Sequence, residues 1–201
     1  MTRFLPGILA MAAVVVASNI LVQFQFGNWL TWGAFTYPFA FLVTDVMNRV
    51  YGAPAARRVV VAGFAVGVAC SLIAAGMERT TLRIALGSGS AFLVAQLLDV
   101  AVFDRLRAGA WWRAPLVSTL IGSAVDTAIF FSIAFAASLA WINPADDVGW
   151  AAETLPLLGL GPVVPLWVSL ATADWLVKLA LAAVALIPFR LIVARLTARP
   201  A

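Results

Sequence analysis

The sequence predicts an all-α fold: one polytopic membrane domain, residues 1–201, built as a helical bundle of about six transmembrane helices with both termini in the cytoplasm. Three observations carry this. First, 64% of the residues are hydrophobic and only 11% are charged, against about half apolar and a quarter charged in soluble domains. A water-soluble fold of this size has nowhere to hide so much apolar surface. Second, the apolar residues fall into six runs near the ~20 residues that cross a bilayer. Third, the basic residues alternate between run ends in the pattern that orients membrane proteins.

The first run extends from about Leu5 to Gln25. Arg3 ahead of it imitates a secretory leader, but the run is long enough to span and others follow, so it reads as an uncleaved first helix. The second covers Gly33 to Val50, the third Val59 to Met77 and the fourth Arg83 to Phe103. A fifth covers Ala114 to Ala140 and a sixth Val163 to Ile187, which Pro188 ends or kinks ahead of a basic tail. The longest loop, from Trp141 to Pro162, carries Asp146, Asp147 and Glu153 among Trp141 and Trp150. Tryptophans there suit a headgroup belt, and a loop of this length can serve as a lid over an entrance.

Most of the 13 lysines and arginines lie at one set of ends: Arg3, then Arg57 and Arg58, then Arg105, Arg107 and Arg113, then Arg190, Arg195 and Arg199. Only Arg79 and Arg83 fall at the other, while Arg49 and Lys178 lie inside spans. The positive-inside rule therefore makes this a multi-pass protein of the cell (inner) membrane with cytoplasmic ends, and its surroundings are the lipid bilayer. The basic residues behind the net charge of +4 are scattered singly or in twos and threes between apolar runs with no basic stripe, which excludes nucleic acid as a partner. There is no histidine, which removes His-based metal sites, Ser–His catalysis and histidine relays. The single Cys70 permits no intrachain disulfide. No nucleophile–base pair, metal cluster or P-loop is present, so neither enzyme, metal nor cofactor is expected.

Charge inside hydrocarbon costs about 2.5–3.5 kcal/mol per residue even on lenient scales. The spans nonetheless hold Asp45, Arg49, Asp99, Asp126, Asp174 and Lys178, with Asn19, Asn48 and Gln96 beside them. Such groups face the bundle interior or a wet cavity. At about 1.5 Å per residue, Asp45, Gln96, Asp126 and Asp174 lie about 16–18 Å into their spans, near the middle of a core about 30 Å thick. Polar groups from four helices at one level describe a midplane binding cavity. Asp45 and Arg49 are four apart, as are Asp174 and Lys178, so each pair can share a face and neutralise itself. Gln96 and Asp99 also share a face. Asp126 has no local basic partner and must find Arg49 or Lys178 across the bundle, bind a cation, or take a proton. In the third span Gly63, Gly67, Ser71 and Ala75 form a small-residue stripe that reads as a packing face. Tyr37, Pro38 and Phe41 precede Asp45, where the proline frees backbone groups and the aromatics either pack or cover a ring.

The stretch Phe35-Thr-Tyr-Pro-Phe-Ala-Phe-Leu-Val-Thr-Asp-Val-Met-Asn-Arg-Val-Tyr-Gly52, with Ala56-Arg-Arg-Val-Val-Val-Ala-Gly-Phe64, resembles the queuosine-precursor transporters. These are six-helix membrane proteins of the vitamin-uptake-transporter group. Ser90-Ala-Phe-Leu-Val-Ala-Gln-Leu-Leu-Asp99 with Phe103-Asp-Arg-Leu106 follows in the same order. So do Trp111 to Pro115, Ser123-Ala-Val-Asp126, Phe130-Phe-Ser-Ile-Ala-Phe135, and Lys178 with Pro188; Ser18-Asn-Ile-Leu21 also fits. The resemblance implies uptake of 7-deazaguanine precursors of a tRNA nucleoside, in 7-cyano and 7-aminomethyl forms. A guanine-like edge offers adjacent N–H donors that a carboxylate accepts as a fork; Asp45, Asp99 or Asp126 can supply it, with Asn48 or Gln96 reading the carbonyl and Tyr37, Phe41 or Phe130 covering the ring. Asn19, Arg49 and Lys178 complete the candidate substrate-binding set. The alternative is a substrate-binding membrane subunit of an ATP-driven vitamin importer, which would draw on partners for its ATPase. A homodimer is compatible with either.

Overall fold

The computed structural model describes residues 4–146 and 148–198; Arg3, Asp147 and Arg199 of the charge pattern lie outside the described residues. Seven α-helices dominate: α1 (Leu5–Leu21), α2 (Gly33–Thr36), α3 (Phe39–Tyr51), α4 (Ala53–Gly76), α5 (Leu82–Leu106), α6 (Arg113–Phe135) and α7 (Leu166–Thr197). Four of them, α4 to α7, are long and apolar enough to cross a membrane. With the shorter apolar α1 and the two-part α2–α3 they make the all-α membrane bundle that the composition requires. Large apolar side chains point outward from it, among them Leu72 (70% exposed), Ile73 (65%) and Ile187 (66%). In water such a surface would drive aggregation; in hydrocarbon it is the correct one.

Element ends differ from the sequence expectations for identifiable reasons. α1 stops at Leu21 rather than Gln25, and the chain then folds into a hairpin of β1 (Gln25–Phe26) and β2 (Leu30–Thr31). Gly27 takes its turn at φ +65, a conformation open to glycine. The second span is broken: Tyr37 and Pro38 separate α2 from α3, and the Ala40 and Phe41 N–H groups donate to the Tyr37 and Pro38 carbonyls (2.9 and 3.1 Å) in a tightened turn. α4 begins at Ala53, earlier than expected, because Gly52 at φ +86 reverses the chain and Pro54 suits the first turn of a helix. α7 does not end at Pro188. It continues to Thr197, held by Phe189, which is buried against Phe103, Val46 and Ala114.

α6 ends at Phe135, not Ala140, and Arg83 explains why. This arginine from the start of α5 is 1% exposed. Its guanidinium donates to the Ile133 and Ala136 carbonyls (3.1 and 2.8 Å), occupying acceptors that a helix C-terminus leaves free. Arg83→Met is expected to lower stability by about 2–3 kcal/mol, because two buried carbonyls lose a charged donor. Thermal unfolding of the purified protein in detergent checks this; an unchanged midpoint would remove Arg83 from the account. Beyond α6 the chain forms short 3₁₀ turns and a second hairpin, β3 (Thr154–Pro156) with β4 (Val163–Pro165). Val148 and Ala151 anchor this segment on Phe131 and Phe135.

The arginine-rich ends meet on one side of the bundle. Phe4 contacts Tyr51 edge-on, Arg58 lies over Phe4, and Arg190 lies over Trp111 (4.9 Å). α5 and α6 form the most extensive helix pair. Glycines at both of their crossings permit it: a side chain at Gly87 would press on the Phe130 carbonyl, and one at Gly122 on Phe41 and the Ala95 carbonyl. On α4 the small-residue stripe divides. Gly63 packs beneath Met11 and Phe92, whereas Gly67, beside Val15 of α1, lines a cavity with Ser71 and Ala75.

Candidate functional site

The charged residues of the spans, Arg49 apart, gather in two centres. Ser118 and Thr119 mark one centre on α6 and Asp126 the other, about 11 Å apart along the helix axis. Phe41, 1% exposed, lies between them on α3, in the space that Gly122 leaves open.

The first centre joins α2–α3, α6 and α7. Lys178 on α7 donates to Asp126 on α6 (2.7 Å) and pairs with Asp174 one turn earlier on its own helix. Tyr37, at the break between α2 and α3, donates its hydroxyl to the other Asp126 oxygen (2.9 Å). Thr127 donates to Asp174 (2.8 Å) and accepts from Lys178 (3.0 Å). The ammonium also lies over the Tyr37 ring, 5.5 Å from its centroid. The partner that Asp126 lacked locally is therefore Lys178, and the i,i+4 pairing of Asp174 with Lys178 forms as well. Every hydrogen-bonding group here is engaged, as a buried ionic cluster requires.

The second centre lies between α3, α5 and α6, and it is not satisfied. Asp45, 2% exposed, accepts one hydroxyl on each oxygen, from Ser118 (3.3 Å) and Thr119 (3.2 Å). Asp99, fully buried on α5, packs beside Gly122 of α6. Thr44 engages one end of the Gln96 amide (2.6 Å), and Asn48 donates to the Val100 carbonyl (3.0 Å). Both oxygens of Asp99, the amide nitrogen of Gln96 and the amide oxygen of Asn48 are buried with no hydrogen-bond partner. Each such group costs about 1–3 kcal/mol, and native interiors hold few of them. The nearby free space is small, a void of about 10 Å³ beside Asp45, Thr119 and Phe189.

The remaining candidates fall elsewhere. Arg49 does not neutralise Asp45. Its guanidinium donates to the Arg107 carbonyl (2.8 Å) and covers Phe103 at 5.2 Å, at the arginine-rich end of the bundle. A long, charged side chain one turn from a helix end reaches for the interface rather than inward. Asn19 hydrogen-bonds to its own helix at the Val15 carbonyl (2.9 Å) and lines a cavity of about 310 Å³ between α1, α4 and α5. Tyr37 lines the same cavity, so its ring faces free space while its hydroxyl holds Asp126. Phe130 packs edge-on against Phe131 and Phe135. Sequence reasoning missed the hydroxyl partners Thr44, Ser118, Thr119 and Thr127. The i,i+4 series Thr119, Ser123, Thr127 on the Asp126 side of α6 was the available signal.

Residues 31–193 match the family described as "Putative vitamin uptake transporter". A "Queuosine precursor transporter" of Escherichia coli (strain K12) is 40% identical over a region covering 65% of this chain and 66% of that protein. A "Probable queuosine precursor transporter" of Haemophilus influenzae is 39% identical over 61% of this chain and 65% of its own. Another of that description, from Bacillus subtilis (strain 168), is 32% identical over 60% and 61%. The chain thus spans just under two thirds of the length of the curated relatives it matches. No solved structure matches it.

Proposed function

The chain belongs to the vitamin uptake transporter family, and we propose that it carries queuosine precursors, the 7-cyano and 7-aminomethyl forms of 7-deazaguanine, through the centre between α3, α5 and α6. The observation that supports this most is the set of buried atoms without partners. A guanine-type edge presents a ring N–H and an exocyclic amine side by side, with a carbonyl next to them. Asp99 offers two free acceptor oxygens for the pair of donors, and Gln96, three residues earlier on the same helix face, offers a free amide nitrogen for the carbonyl. Asp45 and Asp126, the other carboxylates of the candidate set, already accept from Ser118 and Thr119, and from Tyr37 and Lys178. Phe41 sits one turn from Asp45, where it can cover the ring face.

The centre is closed in this conformation, so admitting a bicyclic base requires α3 to part from α5 and α6. The break at Tyr37 and Pro38 gives that motion a place to occur, and midplane sites beside broken helices are the usual arrangement in carriers. The fully bonded Lys178 centre then acts as the fixed joint between α6 and α7.

The reading is tested by removing one donor from the ligand. Binding of 7-deazaguanine and of 7-deazahypoxanthine, which lacks the exocyclic amine, is measured on the purified protein. The second is expected to bind about 30-fold more weakly, the ~2 kcal/mol that follows when one bond to a buried carboxylate is lost. Equal affinity for the two would overturn the edge-reading site.

A further inference from the structure

We propose that the cavity between α1, α4 and α5 is an outer binding site, where the flat bicyclic base lodges before it reaches the closed centre between α3, α5 and α6. This rests on the substrate reading above.

The cavity holds about 310 Å³, room enough for such a base. Phe64, Phe92 and the Tyr37 ring supply flat apolar wall, while Asn19, Ser71 and Ser88 add polar groups. Mostly apolar walls with a few polar groups that fix orientation are the pattern of small-molecule sites. Asn19 spends one N–H on the Val15 carbonyl. The oxygen and second N–H of that amide are the groups that can read a base edge. Nor is the space a by-product of helix packing. Gly63 is required beneath Met11, but a Cβ added at Gly67 or Gly89 would meet Val15 or Phe64 at 3.6 or 3.5 Å, an ordinary contact. Larger side chains would fit at both positions, so it is their smallness that keeps the cavity open.

Its position joins it to the centre. On α5, Ala85, Gly89 and Phe92 line the cavity, and Gln96 and Asp99 continue the same helix face about 6 and 10 Å deeper. On the facing wall Tyr37 lines the cavity, and Phe41 follows it four residues on. The Tyr37 and Phe92 rings meet edge-on, 6.2 Å between centroids, and close the way between the two spaces. Parting α3 from α5 at the Tyr37–Pro38 break separates these rings, so the motion that admits the base begins at the cavity floor. Ala75, Thr81 and Leu82 place the cavity at the end of α4 and the start of α5, away from the arginine-rich ends and so in the outer half of the bundle. An importer meets its substrate on that side.

The test uses the full chain in lipid nanodiscs, with Cys70→Ser to remove the native thiol, Ser88→Cys to place one in the cavity wall, and Asp99→Asn to weaken the centre. At about ten times its half-protecting concentration, 7-cyano-7-deazaguanine is expected to slow labelling of the new thiol by a water-soluble maleimide about tenfold, as occupancy of one site dictates. In liposomes Ser71→Phe, which fills the cavity, is expected to lose uptake while the purified variant still binds the radiolabelled base at the centre. If Ser71→Phe binds no base, the thiol measurement decides alone. Binding of the base by wild type with no protection of the thiol, or undiminished uptake by Ser71→Phe, would overturn the outer site and leave the substrate reading standing. No binding by wild type would overturn that reading and this proposal together. A thiol that resists the water-soluble maleimide with or without base, yet reacts with a membrane-soluble one, would give the cavity to lipid acyl chains and overturn the proposal.

Discussion

Asp99→Asn is expected to weaken binding of 7-cyano-7-deazaguanine by about a hundredfold while leaving the thermal midpoint of the purified protein unchanged or raised. The substitution keeps the side-chain shape but turns one acceptor into a donor facing the donors of the base edge. One hydrogen bond to a charged group disappears and the other becomes neutral, together about 3 kcal/mol. Folding responds in the opposite direction. A buried carboxylate whose two oxygens have no hydrogen-bond partner gives way to a neutral amide. Loss of binding without loss of stability is what separates a ligand-reading residue from a structural one. Titration of labelled substrate, with unfolding curves on the same preparations, gives both numbers. Binding within threefold of wild type would take Asp99 out of the site.

Lys178→Met is expected to be the most destabilising single change in the bundle interior. Lys178 is 4% exposed and holds Asp126 and Asp174 at once. Removing it leaves two carboxylates in a low-dielectric interior with only Tyr37 and Thr127 as donors. Breaking a buried pair in this way costs about 3–5 kcal/mol, most of it the penalty of the charge left behind. The yield of monodisperse protein in detergent and its unfolding midpoint should both fall sharply. Adding Asp126→Asn to Lys178→Met is expected to recover more than half of the loss, because one orphaned charge goes with the lysine. Equal stability of wild type and Lys178→Met would mean that the cluster contributes nothing to the α6–α7 contact.

The sequence revealed much of the architecture because the bilayer imposes it residue by residue. A span must be long and apolar wherever it lies, so six runs were visible without knowing how they pack. Span ends were less legible because distant side chains set them: Arg83 stops α6 at Phe135, and Phe189 carries α7 past Pro188. In the interior the limit is helix rotation. Spacing of four residues placed Lys178 with Asp174 correctly but offered the same argument for Asp45 with Arg49. There the arginine turns to a carbonyl at the end of α5. The meeting of Asp45 with Ser118 and Thr119, 73 and 74 positions away in the chain, follows from how α3 is rolled against α6. No local pattern encodes that.

The spacing of the two centres on either side of Phe41 also makes them electrical neighbours. Unit charges about 11 Å apart, at an effective dielectric constant of about 20, shift one another's energy by about 1.5 kcal/mol, or about tenfold in an equilibrium constant. A change of charge beside Asp45 is therefore felt at the Lys178 cluster, and at the Tyr37 hydroxyl bonded to its Asp126, before any helix has moved. Field alone can link the state of one centre to the joint between α6 and α7.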